Sequence, residues 1–84
     1  MNTPRVVVKF FSVYSDVVNN VYIDVDEGST IEDLISKLLT KYPDLKEIFE
    51  NIKPIILING SVHDSPVALK DGDEVAFIPP ASGG

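Results

Sequence analysis

Apolar and polar side chains alternate along two short stretches in the first third of the chain. Residues 6–11 and residues 21–26 both change face with a period of two and are rich in β-branched or aromatic side chains, which predicts two strands. The core-facing side of the first strand carries Val6, Val8 and Phe10. Phe11 falls on its opposite side. We expect the two strands to pair as a hairpin.

The next segment has the period of a helix. Apolar side chains recur at spacings of three and four over residues 31–42, which predicts one amphipathic helix. Its start carries a capping-box pattern, in which Ser29 caps the first turn and Glu32 reaches back. Pro43 ends the helix, because the residue before a proline avoids helical angles. Residues 45–49 predict one further short turn.

Three more segments read as strands. Residues 55–58 are apolar on both faces, residues 61–63 form a short candidate strand, and residues 73–78 alternate again. Asn-Gly and Asp-Gly pairs between them are turn signals. A single main helix needs one sheet face to cover its apolar stripe. We therefore expect an α+β fold of the β-grasp kind, with one mixed sheet wrapped around one main helix and the first and last strands parallel at the centre.

Composition narrows the function classes. The chain has 84 residues, of which 44% are hydrophobic, and this fits one small globular domain. It has no apolar run of about 18 residues and no signal-peptide pattern, so we expect a cytoplasmic protein without a membrane partner. It has no cysteine and a single histidine, His63, so we expect neither thiolate catalysis nor a metal site. A net charge of −6 disfavours nucleic acid as a partner.

The last residues form the most informative motif. The chain ends on two glycines, which follow the last strand and a proline pair, Pro79 and Pro80. A terminal glycine pair arises by chance in about one chain in two hundred, since glycine makes up roughly 7% of residues. Two glycines make a thin peptide that can enter a narrow channel of another protein. We therefore divide the chain into a domain, residues 1–80, and a flexible tail, residues 81–84.

A docking surface is predicted beside that tail. Phe11 and Ile78 both lie opposite the core-facing residues of their strands, so neighbouring first and last strands would place them together on the outer sheet face. Val62 is a third candidate for the same surface. An exposed apolar patch of this kind marks a binding site for a protein partner. The alternative is that a loop of the same domain covers these side chains.

An acidic cluster precedes the last strand and has two interpretations. Asp71, Asp73 and Glu74 could lie near the tail and pair with basic residues around a partner's channel. They could equally serve the Asp-Gly turn itself.

One stretch resembles a known family. Residues 69–84, Leu-Lys-Asp-Gly-Asp-Glu-Val-Ala-Phe-Ile-Pro-Pro-Ala-Ser-Gly-Gly, are similar to the C-terminal signature of MoaD, the small sulfur-carrying subunit of molybdopterin synthase. The first strand around Val8 and the turn at residues 58–60 are similar as well. A bare Gly-Gly end is shared with ThiS, ubiquitin and archaeal ubiquitin-like modifiers, whereas the combined motif is specific.

The resemblance implies a function for the tail. An ATP-dependent MoeB-like enzyme would adenylate the Gly84 carboxylate, and a sulfur donor would convert it to a thiocarboxylate. A MoaE-like large subunit would then accept the tail, and the sulfur would pass to a pterin precursor. Gly84 would carry the reacting atom, and Gly83 would give the tail its flexibility. The partner-binding residues would be Phe11, Val62, Ile78, Pro79, Pro80 and Ser82. The chain would bind no cofactor and have no active site of its own.

Other functions begin with the same activated tail. A ubiquitin-like modifier would be joined through Gly84 to lysines of target proteins. A related carrier would deliver sulfur for tRNA or thiamine. A more distant possibility is an interaction domain whose tail is inert.

Overall fold

The computed structural model describes residues 3–80, and these contain four strands and two α-helices. In chain order they are β1 (Arg5–Phe10), β2 (Val21–Asp24), α1 (Ile31–Lys41), α2 (Asp44–Asn51), β3 (Ile55–Ile58) and β4 (Glu74–Ile78). A 3₁₀ helix, Ser12–Asp16, lies between β1 and β2.

The strands form one mixed sheet with the order β2-β1-β4-β3. The two central strands run parallel, with Val8 opposite Val75 and Phe10 opposite Phe77. Both outer pairs, β1 with β2 and β3 with β4, are antiparallel. The predicted hairpin, the parallel central pair and the mixed sheet are therefore all confirmed.

One cluster of buried side chains joins the inner sheet face to the helices. Its fully buried members include Val6, Val8, Tyr14, Leu34, Leu38, Leu45, Val75 and Phe77. Phe77 stacks between Phe10 and Phe49, with ring centroids 5.5 and 5.3 Å away. Such aromatic pairs stabilise a core by about 0.5–1.5 kcal/mol beyond their buried area. The stack fixes β4 against both β1 and α2.

The helix α2 is longer than the short turn predicted for residues 45–49. It runs over eight residues, because Leu45, Ile48 and Phe49 give it an apolar stripe with the i, i+3, i+4 spacing. Pro43 ends α1 as predicted, but its φ of −59° also suits a helix start, so it caps α2. Residues 45–49 therefore belong to a second helix and not to a single short turn.

The capping box of α1 lies one residue later than predicted. Thr30 is the N-cap, and its backbone N–H donates to Asp33 Oδ2 at 3.0 Å. Ser29 is buried, and its carbonyl accepts the Leu69 N–H at 2.7 Å. This tertiary contact holds Ser29 outside the helix, so the predicted pair of Ser29 and Glu32 was wrong.

Two connecting segments also differ from the prediction. Residues 61–63 form no strand; Ser61 alone bridges Ile58, with backbone N···O distances of 2.9 and 3.1 Å. The segment after β1, predicted as a loop, contains the 3₁₀ helix and buries Tyr14. The Tyr14 hydroxyl donates to the Ile52 carbonyl at 2.7 Å, and burial raises the pKa of this phenol.

An ion pair joins the exposed side chains of the β1–β2 hairpin. Arg5 Nε lies 2.9 Å from Asp24 Oδ1, and the two residues are opposite each other in the ladder. The hydrogen bond and charge of Arg5 hold the pKa of Asp24 below its ordinary value. The same hydrogen bond raises the pKa of the Arg5 guanidinium.

The capping geometry predicts a difference between neighbouring acidic residues of α1. Asp33→Ala should lower the free energy of unfolding by about 1 kcal/mol, because the Thr30 N–H loses its acceptor. Glu32→Ala is the matched control and should change it by less than about 0.5 kcal/mol. Urea denaturation followed by circular dichroism measures both values. A larger effect of Glu32→Ala would instead support the capping box of Ser29 and Glu32 that the sequence predicted.

The ion pair predicts how stability responds to acid. Because the folded-state pKa of Asp24 is depressed, its contribution is present above the ordinary carboxyl pKa and is lost as the pH falls through the depressed value. NMR titration of the Asp24 carboxyl carbon should show this low pKa, and Arg5→Gln should move the pKa upward. An unchanged pKa in that variant would contradict the assigned cause.

Candidate partner-binding site

The last strand leads directly out of the centre of the sheet. β4 ends at Ile78, which lies opposite Ile55, and the half-buried Pro79 and exposed Pro80 follow. A proline has no N–H to donate, so the ladder stops here. Three predicted site residues, Ser82, Gly83 and Gly84, lie outside the described residues. The division into a domain, 1–80, and a tail, 81–84, therefore stays a prediction.

Phe11 and Ile78 lie next to each other on the sheet face that points away from the helices. The Phe11 N–H donates to the Phe77 carbonyl at 3.1 Å, so the parallel ladder continues one residue past β1. This register sets Phe11 beside Ile78, and alternation turns both away from the core. Phe11 is 45% exposed and Ile78 is half-buried.

Strand β3 extends this apolar surface. Ile55 lies opposite Ile78, and Leu57 lies opposite Ala76, so both share the outer face. Val62 follows Ser61, which bridges Ile58 at the end of β3, and is 63% exposed. We call these residues the outer patch: Phe11, Ile55, Leu57, Val62 and Ile78. Ile55 and Leu57 were not predicted as site residues, although an apolar run on both faces of β3 was the available signal.

The outer patch is open over the part of the chain that the structure describes. Phe11, Ile55 and Val62 all keep more than two fifths of their surface exposed. The alternative that a loop within residues 3–80 covers Phe11 and Val62 is therefore wrong. Exposed apolar side chains gathered on one rigid face are typical of a protein-binding surface.

The acidic cluster does not lie near Pro79 and Pro80, the end of β4 that leads to residues 81–84. It stands at the start of β4, whereas Pro79 stands at the other end, roughly 15 Å away for a five-residue strand. Its carboxylates have structural partners: Asp71 accepts the Arg5 N–H, Asp73 accepts the Lys70 N–H, and Glu74 lies 3.0 Å from Lys9 Nζ. These contacts favour the interpretation that the cluster serves the turn and the sheet.

Three further features are absent from residues 3–80: a metal site, a membrane-spanning helix and an unpaired buried polar atom. No group of three or more histidine or acidic side chains there could hold a metal ion, and His63 is exposed. No helix in this range is long and apolar enough to cross a membrane. No buried side-chain polar atom in the range lacks a hydrogen-bond partner.

A mixed sheet with a parallel central pair, wrapped around one main helix, defines a β-grasp domain of the ubiquitin-like class. A model of the ThiS family matches residues 8–84 of the chain. The chain therefore belongs to the ThiS family, and the resemblance to MoaD predicted from the sequence is confirmed.

Relatives of two kinds match by sequence. The molybdopterin synthase sulfur carrier subunit of Chlamydomonas reinhardtii is 36% identical over 70 residues, which cover 80% of this chain and 81% of that protein. Small archaeal modifier protein 1 of Haloferax volcanii is 31% identical over an alignment that covers 90% of this chain and 97% of that protein.

Solved structures show the same two kinds of relative. The crystal structure of the Haloferax volcanii modifier, SAMP1, matches with a TM-score of 0.81 at 28% identity, over 95% of this chain and 99% of that chain. A complex of subunits 1 and 2 of the molybdopterin-converting factor from Helicobacter pylori contains a chain that matches with a TM-score of 0.68 at 28% identity, over 95% of this chain and 99% of that chain.

Proposed function

We propose that this protein is the sulfur-carrying small subunit of a molybdopterin synthase, with Gly84 as the carrier residue. The observation that supports the proposal most is the position of the outer patch beside β4, the strand that leads to the Gly83–Gly84 end. A partner that binds this patch has the tail within reach. The similarity to a curated sulfur carrier subunit supports the same role.

The proposed reaction takes place at the Gly84 carboxylate. One carboxylate oxygen attacks the α-phosphorus of ATP, pyrophosphate leaves, and an acyl-adenylate forms. Hydrosulfide from a sulfur donor then attacks the carbonyl carbon, AMP leaves with the electron pair of the broken C–O bond, and a thiocarboxylate remains. The chain has no cysteine to supply that sulfur. An activating enzyme of the MoeB kind binds the ATP and a separate donor supplies the sulfur, so this chain contributes only the acyl group.

Binding through the outer patch suits a carrier that visits two proteins. Burying one large apolar side chain contributes about 1.5–3 kcal/mol, so a few of them give a specific but reversible contact. Pro79 and Pro80 restrict the backbone where it leaves the sheet, which directs the tail. Since the activating enzyme and a MoaE-like large subunit would use the same patch, they bind in turn and not together. All these steps belong in the cytoplasm, where ATP is available.

A second candidate function is supported by the similarity to small archaeal modifier protein 1. In that case the Nε of a target lysine attacks the Gly84 adenylate, AMP leaves, and an isopeptide bond forms. The outer patch and the tail would serve both functions, because the activated intermediate is the same. The two functions differ in the nucleophile that attacks the adenylate, so their products differ and can be measured.

The state of Gly84 distinguishes the two functions. The protein purified from its native host should be heavier by about 16 Da than its calculated mass, because sulfur replaces one carboxylate oxygen. Intact-mass spectrometry of the protein and a search for Gly-Gly remnants on lysines of other proteins measure the two products. Remnants without any mass gain would favour the modifier. Deletion of Gly84 should abolish molybdopterin synthesis, and full synthesis by that variant would refute the carrier role.

The outer patch predicts which substitution breaks partner binding. Ile78→Asp should leave the fold intact and weaken binding to the large subunit by at least about 30-fold, because a carboxylate would be desolvated at the centre of the contact. Tyr22→Asp is a matched control, since Tyr22 is 71% exposed on the other edge strand, β2. Calorimetry measures both affinities. Unchanged binding by Ile78→Asp would contradict this docking surface.

A further inference from the structure

The open edge of β3 carries backbone groups that no strand uses. β3 is an edge strand, and its ladder to β4 uses alternate residues, because the Asn59 N–H donates to the Glu74 carbonyl. By the same alternation the N–H and C=O of Ile56 and Ile58 point away from β4. Ser61 pairs with both groups of Ile58: the Ile58 N–H donates to the Ser61 carbonyl at 2.9 Å, and the Ser61 N–H donates to the Ile58 carbonyl at 3.1 Å. Among the described residues, none pairs with the outward groups of Ile56.

An apolar cleft of about 270 Å³ lies immediately inside this edge. Its hydrophobic lining comes from α1, α2, β3 and the residue before β3: Ile35, Leu39, Phe49, Ile56 and Pro54. Each of these side chains is only half-buried, so the cleft is open to solvent. Ile56 joins the two features, because its side chain lines the cleft while its backbone forms the open edge.

The charges around the cleft differ from those of the whole protein. Lys46 and Lys53 line it beside a single acidic residue, Glu50, and all three are exposed. The chain as a whole carries a net charge of −6. A basic cleft on an acidic protein favours an acidic occupant.

We propose that the β3 edge and this cleft bind an extended peptide of another protein by strand addition. In an antiparallel pair, the peptide residue opposite Ile56 exchanges both backbone hydrogen bonds with it. The side chain of that residue points to the same face as Ile56 and enters the cleft, so it must be apolar. Two residues further along, opposite Pro54, a carboxylate side chain comes near Lys46 and Lys53. The recognised pattern is therefore an apolar residue, any residue, and then Asp or Glu.

The same geometry disfavours other occupants. In a second copy paired symmetrically at Ile56, Pro54 would have to lie opposite Ile58, whose edge Ser61 already occupies. Pro54 also has no N–H to donate to a longer ladder. The protein's own residues 81–84, Ala-Ser-Gly-Gly, carry no large apolar side chain that could fill the cleft. An external peptide that starts at its apolar residue avoids the Ser61 bridge, and because its ladder bonds are those to Ile56 it needs no hydrogen bond from Pro54.

The surface is distinct from the outer patch. The outer patch lies on the sheet face away from the helices, whereas the cleft lies on the helix side of the same strand. A peptide on the β3 edge could therefore be bound while the outer patch contacts an enzyme. This inference does not depend on which sulfur or modifier chemistry the tail performs.

Peptide titration of the ¹⁵N-labelled full chain tests the proposal. The probe is acetyl-Leu-Thr-Glu-Thr-Glu-amide, and its control replaces both glutamates with lysine. We expect saturable amide shifts at residues 53 and 55–57 and in α2, with a dissociation constant on the order of 0.1–1 mM for so small a contact. Lys53→Glu should weaken binding about tenfold, whereas Lys70→Glu, an equal charge change at a distant exposed site, should not.

N-methylated peptides test strand addition itself. Methylation of the leucine nitrogen removes the N–H that faces the Ile56 carbonyl and should weaken binding at least about tenfold. Methylation of the following threonine nitrogen, which faces away from β3, should leave affinity unchanged. Equal affinity of both methylated peptides, or shifts on the outer patch only, would overturn the proposal. Concentration-dependent shifts without peptide, or release of Ser82 on titration, would instead identify a second copy or the tail as the occupant.

Discussion

The parallel pairing of β1 with β4 is the interaction on which the other features depend. It joins residues from opposite ends of the sequence, such as Val8 and Val75. On the inner face the pairing forms the Phe10–Phe77 stack, which α2 extends through Phe49. On the outer face the same ladder, continued by one hydrogen bond, sets Phe11 beside Ile78. Core and binding surface are therefore two sides of one strand pair, and neither forms without the other.

The neighbouring strands β3 and β4 use their two faces for different contacts. β4 buries Val75 and Phe77 inside and presents Ile78 outside, so the stability of the core holds the outer patch in place. β3 adds Ile55 to that patch, lines the cleft with Ile56 and leaves one backbone position of its edge open. An apolar run on both faces is unusual for an edge strand of a small domain. Both proposed binding surfaces use this run, the outer patch on one face and the cleft on the other.

Short-range periodicity was enough to predict the sheet and the main helix, because the faces of β1, β4 and α1 are set by which side chains the core buries. The errors arose where a tertiary contact decides the local structure. Thr30 and not Ser29 is the N-cap, because the Ser29 carbonyl accepts a hydrogen bond from the N–H of Leu69, a residue forty positions away. The apolar stripe of α2 is so short that its sequence fits a turn as well as a helix. The contact of Phe49 with Phe77 favours the helix, and that contact is not visible in the sequence. Of the site, Phe11 and Ile78 followed from alternation, whereas Ile55 needed the register of β3 against β4.

The long sequence separation within the central pair has a consequence for the synthesis of the protein. While a ribosome makes the chain, β1 is translated well before its parallel neighbour β4, because both helices and two other strands lie between them. Closing so long a loop is slow and gains nothing until β4 is present. Nascent chains that stop before β4 therefore have no complete core and no outer patch, and are left to proteases and chaperones. A partner that recognises the patch thereby selects chains whose translation has passed the last strand.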